Sequence, residues 1–125
     1  MHGGRERQER IAANTVQLMG LGGSLRAAST SRTALVVALQ ATTAAGAHAR
    51  LVWVRDLDLP LYTADLSVRR PVREFVDAVY ACDAMIWSSP TYHGSVSGSF
   101  KNALDWLILL AEAGRGRGAA QADRR

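Results

Sequence analysis

Apolar residues follow two alternating rhythms along this chain: short unbroken runs, and longer stretches with a helical period. TVQLMG, Thr15 to Gly20, is a compact apolar run that suits a strand buried on both faces. Ser29, Thr30 and Ser31 then offer caps for a helix from about Arg32 to Ala45, with Leu35, Val36 and Leu39 on one face and Gly46 as its stop. ARLVWVRDL, Ala49 to Leu57, predicts a second strand, and Pro60 bars its continuation as a central one. Pro71 opens a second helix that runs to about Ala81, with Val72, Phe75, Val76 and Val79 at the spacing of a buried stripe. CDAMIWSSP, Cys82 to Pro90, predicts a third strand. A third helix starts at Ser97 or Gly98, shows Phe100, Leu104, Leu107 and Ile108 on its apolar side, and fades near Gly114.

The order βαβαβα with near-continuous apolar strands predicts an α/β protein, a parallel sheet with helices on both faces. Right-handed crossovers in a doubly wound chain put the second and third strands on opposite sides of the first, giving the order 2-1-3. Ligands of such sheets sit beyond the carboxyl ends of the strands where the winding reverses, here between strands one and three.

Composition narrows the class. At 125 residues the chain is expected to form one domain over residues 14–113, between disordered tails at 1–13 and 114–125. Three Arg and two Glu in residues 1–12, and four Arg and one Asp in residues 114–125, account for the whole net charge of +4. The body between them balances, so no nucleic-acid partner is expected. No apolar run reaches the roughly 20 residues of a membrane span, and the first ten residues lack a signal-peptide core, which predicts a cytoplasmic protein with no membrane contact. Cys82 is the single cysteine and is expected to pack as a small hydrophobe.

Two loops carry the candidate chemistry. GLGGSLRAASTSR, Gly20 to Arg32, combines glycines, hydroxyls and arginine at a helix start, with no acidic residue between Glu9 and Asp56. Gly22 and Gly23 are expected to let backbone amides approach an anion, with hydroxyls from Ser24, Ser29, Thr30 and Ser31 and charge from Arg26. A Walker loop is excluded because the only lysine is Lys101, and a dinucleotide fingerprint fails where Leu25 replaces glycine. Monophosphate recognition without magnesium fits better, and a serine-rich turn that merely caps a helix is the plainer alternative. In SSPTYHGSVSGSFKNALDWL, Ser88 to Leu107, the segment Pro90, Thr91, Tyr92, His93 and Gly94 offers ring side chains and exposed backbone to a planar heterocycle. No second His or Cys near His93 completes a metal site, and no nucleophile elbow surrounds Ser88 or Ser89. Lys101 and Asp105 are spaced for an ion pair on the third helix.

GSLRAASTS, Gly23 to Ser31, followed by SPTYHGSVSGSFKNALDWL, Ser89 to Leu107, resembles the NADPH-dependent FMN reductase family, and DLPLY, Asp58 to Tyr62, resembles its loop after the second strand. The resemblance covers about Thr15 to Leu110 and implies a flavodoxin-like three-layer sandwich. It implies FMN, with the phosphate on Ser24, Arg26, Ser29 and Ser31 and the isoalloxazine ring beside Pro90, Thr91, Tyr92, His93 and Gly94. Members of the family often carry Asn where Ser31 stands. Hydride would pass from NADPH or NADH through the flavin to a small-molecule acceptor such as a quinone, free flavin, azo compound or metal oxyanion. The flavin carries that chemistry, so no catalytic side chain is nominated. A homodimer or homotetramer is also implied.

The resemblance departs after Leu110, where LILLAEAGRGRGAAQADRR shows no pattern for the family's fourth and fifth parallel strands. The third strand is then expected to be an exposed edge. Two further expectations stand beside the reductase: a truncated, inactive remnant, and a flavin-binding electron carrier without NAD(P)H turnover.

Overall fold

The computed structural model describes residues 14–65 and 67–112. The expected tails at 1–13 and 114–125 lie outside the described residues. Strand β1 spans Gln17–Gly22, helix α1 Thr30–Ala44, β2 His48–Trp53, α2 Arg70–Ala81, β3 Ala84–Ser88 and α3 Gly98–Trp106. Both β2 and β3 pair with β1 in parallel, so the sheet order is β2-β1-β3, as the alternation predicted.

Each helix boundary has a local cause. The Ser29 side chain accepts from the Arg32 amide at 3.2 Å and starts α1. Gly46, at φ 101, lets the chain turn away beyond its end. Pro71 occupies the first turn of α2, where the missing N–H costs no intrahelical bond. Asp83 then locks the start of β3 to β1: Gln17 N–H donates to Asp83 Oδ2, and the Asp83 N–H to Gln17 O, both at 2.7 Å.

Burial divides the sheet into two faces. On one, Met19 and Leu21 of β1 meet Phe75 and Val79 of α2 and Phe100 and Ala103 of α3, with Val52 of β2 and Val54 just beyond its end. The predicted stripe Val72, Phe75, Val76 and Val79 is buried throughout, and each such side chain contributes about 1.5–3 kcal/mol of transfer free energy. On the other face α1 lies close to β1, with Leu35 and Leu39 buried. A Cβ on Gly20 would stand 2.5 Å from Leu39 Cδ1, so the strand's glycine is what permits this approach.

Two segments depart from expectation. The second strand stops at Trp53, and Val54–Asp56 form a single 3₁₀ turn. Helix α3 closes at Trp106, after which Leu107 N–H turns to Leu104 O and Ile108 N–H to Asp105 O. That tighter winding breaks a 3.6-residue apolar spacing, and Ile108 is left 57% exposed while Ala103 and Trp106 take the buried positions. Among the described residues no strand pairs with the outer edge of β3, where Trp87 is 55% exposed. No helix among them is long and apolar enough to cross a membrane.

DLPLY forms a pinned loop. Asn102 of α3 donates to Pro60 O at 2.9 Å and accepts from Tyr62 N–H at 2.8 Å, while Trp106 Nε1 donates to the same Pro60 O at 2.8 Å. The Tyr62 and Trp106 rings meet edge to face at 5.1 Å.

Candidate flavin site

The turn Gly23–Ser29 leaves the carboxyl end of β1, and the segment Ser89–Ser97 leaves that of β3. Gly23 joins them. Its N–H donates to Ser88 O at 2.8 Å, and its carbonyl accepts from the hydroxyls of Ser97 and Ser99, each at 2.9 Å. Ser88 Oγ donates to Ser31 O at 2.7 Å, which fixes the start of α1 against the end of β3. The two loops picked out from the sequence are therefore one surface, at the reversal point of the sheet.

These bonds correct the expected role of the paired glycines. The Gly23 amide is already used by Ser88 and cannot be offered to an anion, and Gly22 lies within the β1 ladder. Their missing side chains make room for rings instead. A Cβ on Gly22 would stand 2.4 Å from Trp53 Cε3, and one on Gly23 would stand 2.6 Å from Phe100 Cβ. Nothing local in the sequence marks these partners, which are distant along the chain.

The remaining donors suit a phosphate. Ser29 caps the Arg32 amide, which leaves the first-turn amides of Thr30 and Ser31 without an intrahelical acceptor. The hydroxyls of Ser29 and Ser31 stand 3.2 Å apart, and one mutual bond leaves one O–H over to donate. Ser24 is buried, and its Oγ accepts from the Arg26 amide at 3.2 Å, so its proton is likewise left to give. The Arg26 side chain is exposed, with no carboxylate in ion-pair range among the described residues, and α1 has no acid in its first turn. Hydroxyl donors, free amides and the exposed Arg26 cation at a helix N-terminus match a monophosphate, so the donor set fits the phosphate end of FMN.

The other end of the surface, where the sequence pattern predicts a loop, is a small hairpin. Thr91–Tyr92 pair antiparallel with Ser95–Val96, and His93 and Gly94 turn between them at φ 51 and 77. Positive φ at both central residues is the signature of a type I′ turn, and the His-Gly pair was the available signal for it. Tyr92 is 53% exposed, and Thr91, His93 and Gly94 are exposed with it, while Pro90 is half-buried at the base. Ser89 anchors that base: its Oγ accepts from the Ser97 amide at 2.9 Å and donates to Pro90 O at 2.8 Å. Trp87 of β3 meets Phe100 edge to face at 5.7 Å just below. Lys101 pairs with Asp105 on the outside of α3, the structural role expected for them.

Cys82 is half-buried at the end of α2, against the main core, and its thiol donates to Val79 O at 3.0 Å. Burial pushes its pKa up, with the neighbouring Asp83 charge adding to the effect and backbone hydrogen bonds opposing it.

A parallel sheet with both candidate loops at the carboxyl ends of adjacent strands is a flavodoxin-like α/β arrangement. The chain belongs to the NADPH-dependent FMN reductase family, whose family model matches residues 16–122. It is 31% identical over 97 residues to the NAD(P)H-dependent FMN reductase PA1204 of Pseudomonas aeruginosa, covering 75% of this chain and 51% of that protein. It is 36% identical over 77 residues to an NADPH azoreductase of a Bacillus species, covering 52% of this chain and 43% of the relative. Among solved structures, the apo form of an NADH:FMN oxidoreductase (EMOB) superposes with a TM-score of 0.63 at 31% identity, covering 74% of this chain and 50% of that one. The chain thus spans about half the length of the curated relatives it matches.

Proposed function

We propose that this chain supplies the FMN site of an NAD(P)H-dependent oxidoreductase. Ser24, Arg26, Ser29 and Ser31 hold the phosphate, and Pro90, Thr91, Tyr92, His93 and Gly94 border the isoalloxazine ring. The observation that carries this reading is the Gly23 joint, which holds a phosphate-type loop and an exposed aromatic hairpin at a fixed spacing. When bound, FMN supplies two-electron hydride chemistry between a reduced nicotinamide and a small acceptor. The chain's own part is to bind and orient: Arg26 and the free amides of α1 fix the charged end, and the hairpin limits the tilt of the ring. No side chain is asked to move a proton.

Relatives named for azo, quinone and flavin reduction support a small-molecule acceptor of that kind, and NADPH and NADH both remain within the reading. It extends to a homodimer or homotetramer, which light scattering on the purified protein tests, and to a cytoplasmic location, which fractionation of the producing cells tests. The edge of β3, unpaired among the described residues, favours a second reading, in which this chain binds flavin without turning over NAD(P)H by itself.

The deciding experiment is reconstitution of purified protein with FMN, followed by anaerobic addition of NADPH or NADH. A bound-flavin spectrum that bleaches supports the reductase, and binding without bleaching supports the second reading. Protein that folds but takes up no FMN refutes both.

A further inference from the structure

We propose that Arg32 is a positioning residue for the phosphate loop: it holds the loop's shape through the Arg26 carbonyl, with Trp53 as its platform, and does not itself contact the phosphate. The proposal rests on the FMN reading above. Trp53 is the last residue of β2 and lies in register with Gly22 of β1, whose lack of a side chain lets the indole settle against the strand. The Arg32 guanidinium carbon stands 4.0 Å from the centre of that indole ring, and Arg32 Nη1 donates to Arg26 O at 3.3 Å. Its main-chain amide is bound to Ser29 Oγ. Arg32 is therefore tied to the end of the sheet, the cap of α1 and the middle of the loop.

The loop has little else to shape it. Leu25, Arg26, Ala27 and Ala28 are all exposed, and the other bond closing this turn is that between the Arg26 amide and Ser24 Oγ. A planar guanidinium can stack flat on an indole while its edge donates to a carbonyl, whereas an ammonium has no planar face to stack and spreads its donors tetrahedrally. Stacking holds the Arg32 guanidinium over Trp53, while the Arg26 side chain stands exposed. A loop already held in its bound shape loses less conformational freedom on binding, so removal of the brace should weaken affinity without removing a ligand contact.

Arg32→Lys, Arg32→Gln and Trp53→Leu, with the Arg32→Lys/Trp53→Leu double variant, test this by flavin fluorescence titration with FMN and riboflavin. Hydrogen exchange of amides 25–28 is followed in the ligand-free proteins. Arg32→Lys and Trp53→Leu should each weaken FMN binding about three- to fivefold, the size of one exposed cation–π contact. Riboflavin binding should stay unchanged, amides 25–28 should exchange faster in both, and the double variant should be no worse than either single one. Full FMN affinity in Arg32→Lys with loss only in Arg32→Gln would mean that charge alone matters and would overturn the proposal. So would Trp53→Leu with unaltered loop exchange. If the wild-type protein binds no FMN, it is the flavin reading that falls; the brace is then decided by exchange, faster amides 25–28 in both variants upholding it and unchanged amides refuting it.

Discussion

Replacing Gly23 with alanine is the most direct probe of how the two loops are held together. The added Cβ would stand 2.6 Å from both Phe100 Cβ and Phe100 Cδ2, inside the closest approach that carbon atoms tolerate. Phe100 is 1% exposed, and its Cβ is fixed to the backbone of α3, so a rotamer change cannot relieve the contact. Helix α3 must instead shift away from β1, stretching the Ser97 and Ser99 bonds to Gly23 O. Overpacking of this kind costs about 1–3 kcal/mol. For a domain of this size that lowers the melting temperature by about 5–15 °C. Urea unfolding followed by tryptophan fluorescence measures the first quantity, and thermal circular dichroism the second. Two other glycines serve as controls. Gly98 has open space where a Cβ would sit, and Gly98→Ala in the first turn of α3 should be neutral or stabilising by about 0.4–1 kcal/mol. Gly94 also faces open space but has φ 77, so Gly94→Ala should cost about 1–2 kcal/mol through backbone strain alone. A Gly23→Ala protein within 0.5 kcal/mol of Gly98→Ala would refute the packing argument.

Arg26→Ala should weaken FMN binding about tenfold in a fluorescence titration, the lower end for a charge-assisted contact because the side chain is exposed; unchanged affinity would remove Arg26 from the phosphate site. Asn102→Ala deletes both bonds to the DLPLY backbone and should cost about 1–3 kcal/mol in urea unfolding, with Trp106 retaining its bond to Pro60 O. Lys101→Ala should change stability by less than about 0.5 kcal/mol, since its ion pair with Asp105 is on the surface. For Cys82 the raised folded pKa means that the folded state holds its proton more tightly than the unfolded one. The resulting stability is fully present below the unfolded value of 9.0 and is lost as pH rises above it. Cys82→Ala should accordingly flatten the alkaline limb of a stability–pH curve, and an unchanged limb would count against that assignment.

Where local pattern and tertiary packing agree, the fold was legible. Val72, Phe75, Val76 and Val79 recur at the helical period, and all four are buried. The strand order followed from handedness, the βαβ alternation and a doubly wound arrangement with helices on both faces. What could not be read were relations between residues far apart. Gly22 and Gly23 looked like an anion cradle because glycine has one local meaning there, whereas their necessity comes from Trp53 and Phe100. By local pattern Arg32 is an ordinary first-turn helix residue, and only the fold sets Trp53 beneath it. The hairpin escaped notice because strands of two residues each are too short to show alternation. Ile108 falls on the apolar side of the third helix only by a period that the chain abandons after Trp106.

The joint between the loops is made of serine hydroxyls and backbone groups and carries no formal charge. Dissolved salt screens interactions between charges and leaves neutral hydrogen bonds of this kind largely untouched. Under the proposed reading, ionic strength would therefore act on the contact between Arg26 and the phosphate while the spacing of the loops stays constant. A salt titration of FMN affinity, set beside one for riboflavin, would separate the electrostatic share of binding from the share due to shape, with no residue changed.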